Sequence, residues 1–457
     1  MTLIRAHASR ALAWLLVPAA LAAQDRPLDR YVNEGLAANL TVRQQALSVD
    51  RSEVGVAEAR GQLLPSLTFN ARYSERSGAI PDIGSLVNPA FGSLNQLLGQ
   101  PRFPTDVALK LPLKQETSLR LVQPIFQPAA IAGLKVARSL EDGERAALEV
   151  TTRQVAAAIR LGYLNYAKAL KLRELNDSTL VVLRENLRVN QALLDNGKVT
   201  PDAVLRARAE VSAAQQARAD ADRLADASRL TFNQLLSRPL ASPLDLIPDS
   251  ALGLALTMSV DSALAMAHAT REEFQQLRAA RGAAEGVRQA ARATFLPGVS
   301  VAVDYGFQGE QYRFNRRSDF VVASLVVQWN VFNGGRDRAR WSAANHELDR
   351  LDAARRELEQ RVELDVRTAH QAAEVARQAI TTARDRLASA RRTFELVERR
   401  YAQGAAALVE YLDARTTYTS AGLNEILTTY DFYQRCVELE RAAGLYPPPP
   451  GGHREAP

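Results

Sequence analysis

The feature that most constrains this chain is that its second half repeats the order of its first half. Leu64-Pro65 precedes an alternating segment in the first half, and Leu296-Pro297 precedes another in the second. Asn196-Gly197 and Gln403-Gly404 each end a long helical stretch. Because a repeat of this size is a structural unit that packs on its copy, it decides the architecture. We predict two units of one plan, at residues 23–236 and 260–446, joined by a proline-containing connector at residues 237–259.

Each half contains two segments in which apolar and polar residues alternate. In one of them Leu67, Phe69 and Tyr73 alternate with polar residues, a period of two that is typical of a strand with one apolar face. Segments of about ten residues match a membrane-spanning β-strand, although a half-buried sheet would alternate in the same way. Four strands cannot close a barrel, which needs at least about eight, so several chains would have to contribute. The predicted strands lie at about residues 67–77, 116–126, 298–309 and 318–332.

A long helical hairpin follows each pair of strands. Residues 127–196 and 336–403 are rich in Ala, Leu, Glu, Arg and Gln, and a helix of about 70 residues would be roughly 100 Å long. Apolar residues such as Leu348, Leu351 and Leu358 recur at helical spacing, as a coiled-coil seam requires. We predict helical hairpins at residues 127–236 and 336–443, with tips near residues 197 and 404.

The remaining segments are predicted to be a signal, a loop and a tail. Residues 1–22 combine basic residues, an apolar core and small residues at their end, which is the pattern of a secretory signal peptide. Residues 77–114 contain five prolines and are predicted to form a long outward-facing loop between the first two strands. The proline-rich tail at residues 447–457 is predicted to be disordered. The only cysteine is Cys436, which excludes a disulfide within the chain and a lipid anchor at a mature N-terminal cysteine.

Composition argues against several classes of function. Lys and Arg number 57 against 51 Asp and Glu, but the charges alternate in sign along the helices, as on a solvated face rather than a nucleic-acid-binding stripe. The five histidines show no metal-ligand spacing, and the chain contains no nucleophile, phosphate-loop or dinucleotide motif. We predict no nucleic-acid binding, no metal, no cofactor and no enzymatic activity, and we interpret Cys436 as a buried small residue.

Local motifs connect this plan to a known family. They are Leu64-Pro65-Ser66-Leu67 before the first strand, the run from Val331 to Arg336 after the last, and Tyr401, Gly404 and residues 408–414 around the second tip. In this order the chain resembles the TolC-like outer-membrane efflux protein family. The resemblance implies a mixed α and β membrane protein, a homotrimer whose four strands per chain form a twelve-stranded transmembrane barrel continuous with an α-helical coiled-coil barrel. It implies a passive exit duct of a tripartite efflux or secretion system, with a periplasmic adaptor protein, an inner-membrane pump and outer-membrane lipid as partners.

The resemblance also implies a pore gate at the hairpin tips. Family members place acidic residues there, and the matching positions are Glu410 and Asp413, with Asp202 near the first tip. Residues three apart on a helix share a face, and rings of carboxylates in a trimer would attract cations and repel one another. On spacing alone, ordinary solvated charges are the alternative interpretation.

Further positions follow from the same resemblance. Tyr401 is a candidate contact between hairpins. Three features depart from the family. Ala203 stands where members tend to carry an Asp in the first hairpin, with Asp202 just before it; Ala405–Ala407 replaces an arginine that ties the gate in some members; and the first tip reads Asn196-Gly197-Lys198. The candidate adaptor contacts are Gly197, Lys198 and Gly404, and the candidate strand-to-helix junction residues are Pro124, Pro128, Gly334 and Gly335.

The main alternative is a protein without a channel, such as the periplasmic adaptor of the same pump or a structural envelope rod. An adaptor would have one hairpin flanked by small β domains, whereas this sequence predicts two hairpins and two strand pairs.

Overall fold

The computed structural model describes residues 27–75, 82–107, 114–309, 311, 314–316 and 318–445. The predicted signal and the predicted disordered tail lie outside these residues. The strands are β1 Ser66–Tyr73, β2 Gln115–Phe126, β3 Gly298–Gly309 and β4 Asp319–Gln328. The helices are α1 Pro27–Ala38, α2 Leu40–Gly61, α3 Gly84–Leu98, α4 Pro128–Asp195, α5 Pro201–Leu235, α6 Val260–Thr270, α7 Glu272–Ala293, α8 Arg336–Ala402 and α9 Leu408–Ala442.

The four strands form one antiparallel sheet in the order β1-β2-β3-β4. Two of them are shorter than predicted, because each stops where its neighbour stops. Tyr73 pairs with Gln115, the first residue of β2, and Gln328 pairs with Gly298, the first residue of β3. Alternation continues in the sequence beyond Gln328, but a strand needs a partner as well as a pattern.

The segment between β1 and β2 is not the plain loop that its prolines predict, because it contains helix α3. Two asparagines fasten this helix to the chain that follows it. The side chain of Asn88 exchanges two hydrogen bonds of 2.9 Å with the backbone of Val107, and that of Asn95 exchanges bonds of 2.6 and 2.8 Å with the backbone of Phe103. Pro89 lies within the helix, so the proline count was a poor guide here.

Two very long helices organise the rest of the chain. Helices α4 and α8 have 68 and 67 residues, and each is followed by a helix of 35 residues. Helix α4 packs against α2, α5, α7 and α9, whereas α8 packs against α9, α7 and α6. Among the described helices, none combines the length and the apolarity that crossing a membrane would require.

The main core lies where the connector crosses the helices. Three buried tyrosines fasten the connector by their hydroxyls: the Tyr31 hydroxyl accepts from the Asp245 amide at 2.9 Å and the Tyr163 hydroxyl from the Ile247 amide at 2.6 Å. Tyr430 donates to the carboxylate of Asp249 at 2.9 Å. The two halves of the chain therefore share one core. Its largest fully buried members include Tyr31, Ile159, Tyr163, Leu164, Phe232, Leu236 and Leu252.

Candidate functional site: the hairpin tips and the sheet

Both hairpins turn through the same backbone motif. Gly197 and Gly404 have φ of 70° and 73°, in the left-handed region where a β-carbon is disfavoured. The Gly197 amide donates to Leu194 and the Lys198 amide to Leu193, both at 2.8 Å. Gly404 and Ala405 repeat this pair of bonds at 3.0 and 2.8 Å. This is the Schellman arrangement, which satisfies the last carbonyls of a helix, and it requires glycine at both tips.

The three acidic candidates near the tips have different partners. Glu410, in the first turn of α9, forms an ion pair of 2.9 Å with Arg400 at the end of α8. Asp202, in the first turn of α5, accepts a hydrogen bond from the Thr200 hydroxyl and lies 3.9 Å from the Arg206 guanidinium. Asp413 is exposed and has no hydrogen-bond or ion-pair partner in the described part of the chain.

Tyr401 reaches from the second hairpin to the first. Its hydroxyl donates a hydrogen bond of 3.0 Å to the side-chain oxygen of Asn190, which is fully buried on α4. Asn190 in turn donates to Asn186 at 2.7 Å. The Tyr411 ring stacks on that of Tyr401 with centroids 4.9 Å apart, and burial raises the pKa of Tyr411 despite its hydrogen bond to Asn186. Tyr401 thus lies in a buried polar network that joins two hairpins of one chain.

A second link between the hairpins was not predicted from the sequence. The guanidinium of Arg415 on α9 is buried and pairs with the carboxylate of Glu210 on α5, which is 40% exposed. Asn190 and Arg400 were missed as well. All of these are common residue types on helices that are polar over much of their surface, and their partners are distant in sequence. Only one signal was available: asparagine is a poor helix former, so two of them in the last turns of α4 indicate a local bonding role.

The junction residues lie where strands become helices. Gly334 and Gly335 both have positive φ, of 59° and 76°, and Gly335 is the residue before α8. Pro128 is the first residue of α4, a position where the missing amide costs nothing. Pro124 lies at an irregularity in the pairing of β2 with β3. Glycine and proline therefore occupy the points where the backbone changes direction.

The two faces of the sheet differ sharply in chemistry. One face carries charges in cross-strand pairs: Arg72 lies 2.6 Å from Glu116, and Arg120 lies 3.8 Å from Asp304. The other face is apolar and open to solvent in the isolated chain, with Leu325 68% exposed. Aromatic rings cluster at the end of the sheet where β3 leads into β4, and there Phe307 contacts both Tyr305 and Phe314 edge to face. Other exposed members of the apolar face are Leu67, Phe69, Tyr73, Leu119, Leu121, Val321 and Val327.

The described residues contain no cluster suited to a metal ion, and their one cysteine is buried. No group of three or more His, Cys, Asp and Glu among them could hold a metal ion. Cys436 is buried, and burial raises the pKa of its thiol to about 12, so it remains protonated and is a poor nucleophile.

Comparison with known proteins identifies the architecture. Residues 263–445 match the family model described as outer membrane efflux protein. The matched residues run from within α6 to just beyond α9. Among curated proteins, none has significant sequence similarity to the chain.

Solved structures of membrane channels share the fold of this chain over nearly its whole length. The structure of CusC matches with a TM-score of 0.77 at 16% identity, covering 91% of this chain and 92% of that one. The Campylobacter jejuni CmeC outer-membrane channel matches with a TM-score of 0.74 at 16% identity, covering 91% and 85%. The open state of the Neisseria gonorrhoeae MtrE channel matches with a TM-score of 0.73 at 18% identity, covering 92% and 89%.

Proposed function

We propose that the chain is one protomer of a homotrimeric exit duct for a tripartite efflux or secretion system. In this proposal the sheets of three copies close a twelve-stranded transmembrane barrel, and the long helices continue it as a tunnel across the periplasm. The duct is passive, and a periplasmic adaptor and an inner-membrane pump open it. The acidic residues near the tips form the pore gate, and Gly197, Lys198 and Gly404 present the surface that meets the adaptor.

This proposal rests mainly on the unpaired edges of the sheet. Its terminal strands β1 and β4 each leave one edge without a partner in the described sheet, and open edges of this kind pair with other chains. The strands alternate in direction, so β4 of one copy can continue antiparallel into β1 of the next. Such a head-to-tail contact closes into a ring. Three copies supply twelve strands, within the size range of membrane barrels.

The faces of the sheet fit the same arrangement. An exposed apolar face suits contact with hydrocarbon, and a face of paired charges suits an aqueous lumen. Rings of aromatic residues at the membrane interface are typical of such barrels, and the cluster of Tyr305, Phe307 and Phe314 at one end of the sheet is in keeping with this.

The helices also offer surfaces for neighbouring copies. Helix α2, at one side of the helical layer, exposes Leu40, Leu47 and Val54 at intervals of seven residues. Helix α8, at the other side, exposes Leu364 and Val375. A spacing of seven places residues on one helical face, as in a coiled-coil seam. Packing α8 of one copy near α2 of the next would remove these side chains from water.

The proposed domain organisation follows the repeated element order. After residues 1–22 are removed, units at 23–236 and 260–446 each contribute two strands, one very long helix and one helix of 35 residues. This order supports a twofold internal repeat, with the segment 237–259 as its connector.

The proposal is tested by extracting the mature chain from outer membranes in mild detergent, measuring its mass by light scattering and recording single-channel conductance. We expect a trimer that conducts. A monomer without conductance would contradict the channel and favour the adaptor or rod.

A matched pair of variants tests the assignment of the two faces. Leu325→Arg places a charge on the apolar face, which costs about 2–4 kcal/mol at the middle of a membrane, so little trimer should be recovered. Val322→Arg places the same charge on the other face, opposite Asp304 in the register, and should assemble normally. Equal recovery of both variants would contradict the assignment.

A further inference from the structure

We infer that Arg400 neutralises Glu410 within its own hairpin, so that, of the two α9 carboxylates, only Asp413 contributes a cation-attracting charge to the pore gate. The inference rests on the proposed channel function and deepens it. It makes Arg400 a specificity-determining residue and separates the roles of two carboxylates that the sequence places on one helical face.

Geometry is the first argument. Nη1 of Arg400 lies 2.9 Å from a carboxylate oxygen of Glu410, and Nη2 donates a hydrogen bond of 3.2 Å to the carbonyl of Ala405. One guanidinium therefore spans the tip, from the last turn of α8 to the first turn of α9. Because its planar fork is engaged at both nitrogens, Arg400 is held in place better than an exposed cation with one partner.

The second argument is the contrast with Asp413. This residue lies three positions after Glu410 and is exposed, with no cation partner among the described side chains. A lone carboxylate acts on ions as a full charge. The Arg400–Glu410 pair acts as a dipole, whose field falls off faster with distance. In a trimer, Asp413 contributes three unpaired charges around the pore, whereas the three ion pairs contribute none in total.

The third argument is the composition of the tip. Ala405–Ala407 offers no side chain that could bond across the turn. The Glu410 carboxylate is thus neutralised from its own α8, and no residue from a neighbouring hairpin is needed.

The test is cation-to-anion permeability, measured from reversal potentials of the full-length protein in lipid bilayers under a KCl gradient. The Asp413→Asn variant is expected to lower the ratio, by roughly twofold or more because charges lining a pore change local ion concentrations. The Arg400→Gln variant is expected to raise the ratio above that of the unmodified protein, since it exposes the Glu410 charge. Removal of a cation from the protein should therefore increase cation preference.

Two further variants isolate the ion pair from effects on folding. The double variant Arg400→Gln with Glu410→Gln removes both charges and should return the ratio to that of the unmodified protein. Arg400→Lys keeps the charge and should leave the ratio unchanged. If both variants have the permeability ratio of the unmodified protein, charge rather than disruption of the tip explains the result for Arg400→Gln.

The outcomes separate this inference from the channel function. If the channel conducts but Arg400→Gln does not raise the ratio, or Asp413→Asn does not lower it, the division of roles is wrong while the duct stands. If the unmodified protein does not conduct at all, the proposed channel fails and the inference fails with it.

Discussion

The two hairpin tips share a backbone and differ in their side chains. Each turns at a glycine with positive φ, and each closes with the same two amide-to-carbonyl bonds. The first tip presents Lys198 and keeps its Asp202 in a loose pair of 3.9 Å with Arg206. The second tip presents alanines, with Arg400 and Glu410 paired across the turn at 2.9 Å. The turn geometry is common to both, and the charge pattern is particular to each.

This comparison separates the glycine that both turns require from the charges that each turn can vary. A Schellman turn needs glycine for steric reasons, so it constrains both copies equally. Charges at exposed helix ends cost little to change, and each tip is therefore free to carry a pattern suited to its own contacts.

The largest effect is expected where the hairpins are joined above their tips. Glu210→Ala leaves the buried Arg415 guanidinium without a partner, which should destabilise the protein by about 2–3 kcal/mol, less than for a fully buried pair because Glu210 is partly exposed. The measurement is the thermal unfolding midpoint in detergent. Arg415→Met is the control: it leaves only a half-exposed Glu210 and should cost less. An equal loss in both variants would show that the buried charge is not the cause.

The shared turn can be tested by changing both glycines in the same way. Gly197→Ala and Gly404→Ala should each cost about 1–2 kcal/mol, because an L-residue is disfavoured in the left-handed region. Gly133→Ala, within α4 and with nothing near its added carbon, should be neutral or stabilising. The measurement is the unfolding midpoint of each variant. A loss of stability at one tip alone would contradict the equivalence of the two turns.

The hydrogen bond from Tyr401 to the first hairpin is predicted to contribute less to stability. Tyr401→Phe removes the hydroxyl that donates to Asn190 in the buried network, at a cost of about 0.5–1.5 kcal/mol. Tyr418→Phe serves as the control, since Tyr418 stacks on Phe394 and has no described hydrogen bond from its hydroxyl. The unfolding midpoint should fall for Tyr401→Phe and stay unchanged for Tyr418→Phe. The reverse order would contradict the role of the Tyr401 bond.

The smallest change in stability is expected at the surface of the first tip. Lys198→Ala should alter stability by no more than about 0.5 kcal/mol, because the side chain is exposed. Its effect should instead appear as weaker co-purification with the cognate adaptor. Ala406→Ser, a small change at the second tip, is the control for co-purification. Undiminished recovery of adaptor with Lys198→Ala would remove this residue from the proposed contact surface.

The sequence predicted the backbone plan better than the side-chain contacts, and the reason is physical. Long α4 and α8 follow from a sustained helical period, and the glycine tips follow from the steric demand of a turn; both signals are local. Helix α3 was missed because two asparagine side chains hold it to residues beyond the turn, a contact that no local period reports.

The candidate site could be only partly predicted from the sequence, for a related reason. Glu410 and Asp413 could be chosen from their spacing and the resemblance to a family. Their different surroundings depend on Arg400, ten positions before Glu410 and across a turn, and an ion pair between exposed groups leaves no pattern in the sequence. Asn190 and Tyr401 are more than two hundred residues apart, so their contact exists only once both hairpins have formed.

The burial of Cys436 has a practical consequence for mapping the duct. With its one thiol enclosed and protonated near neutral pH, the native chain should be almost silent toward maleimides and other thiol reagents. A cysteine introduced at an exposed tip position can therefore be labelled selectively without first removing the native one. Labelling from one side of the membrane would then report which hairpin surfaces become covered when a partner arrives.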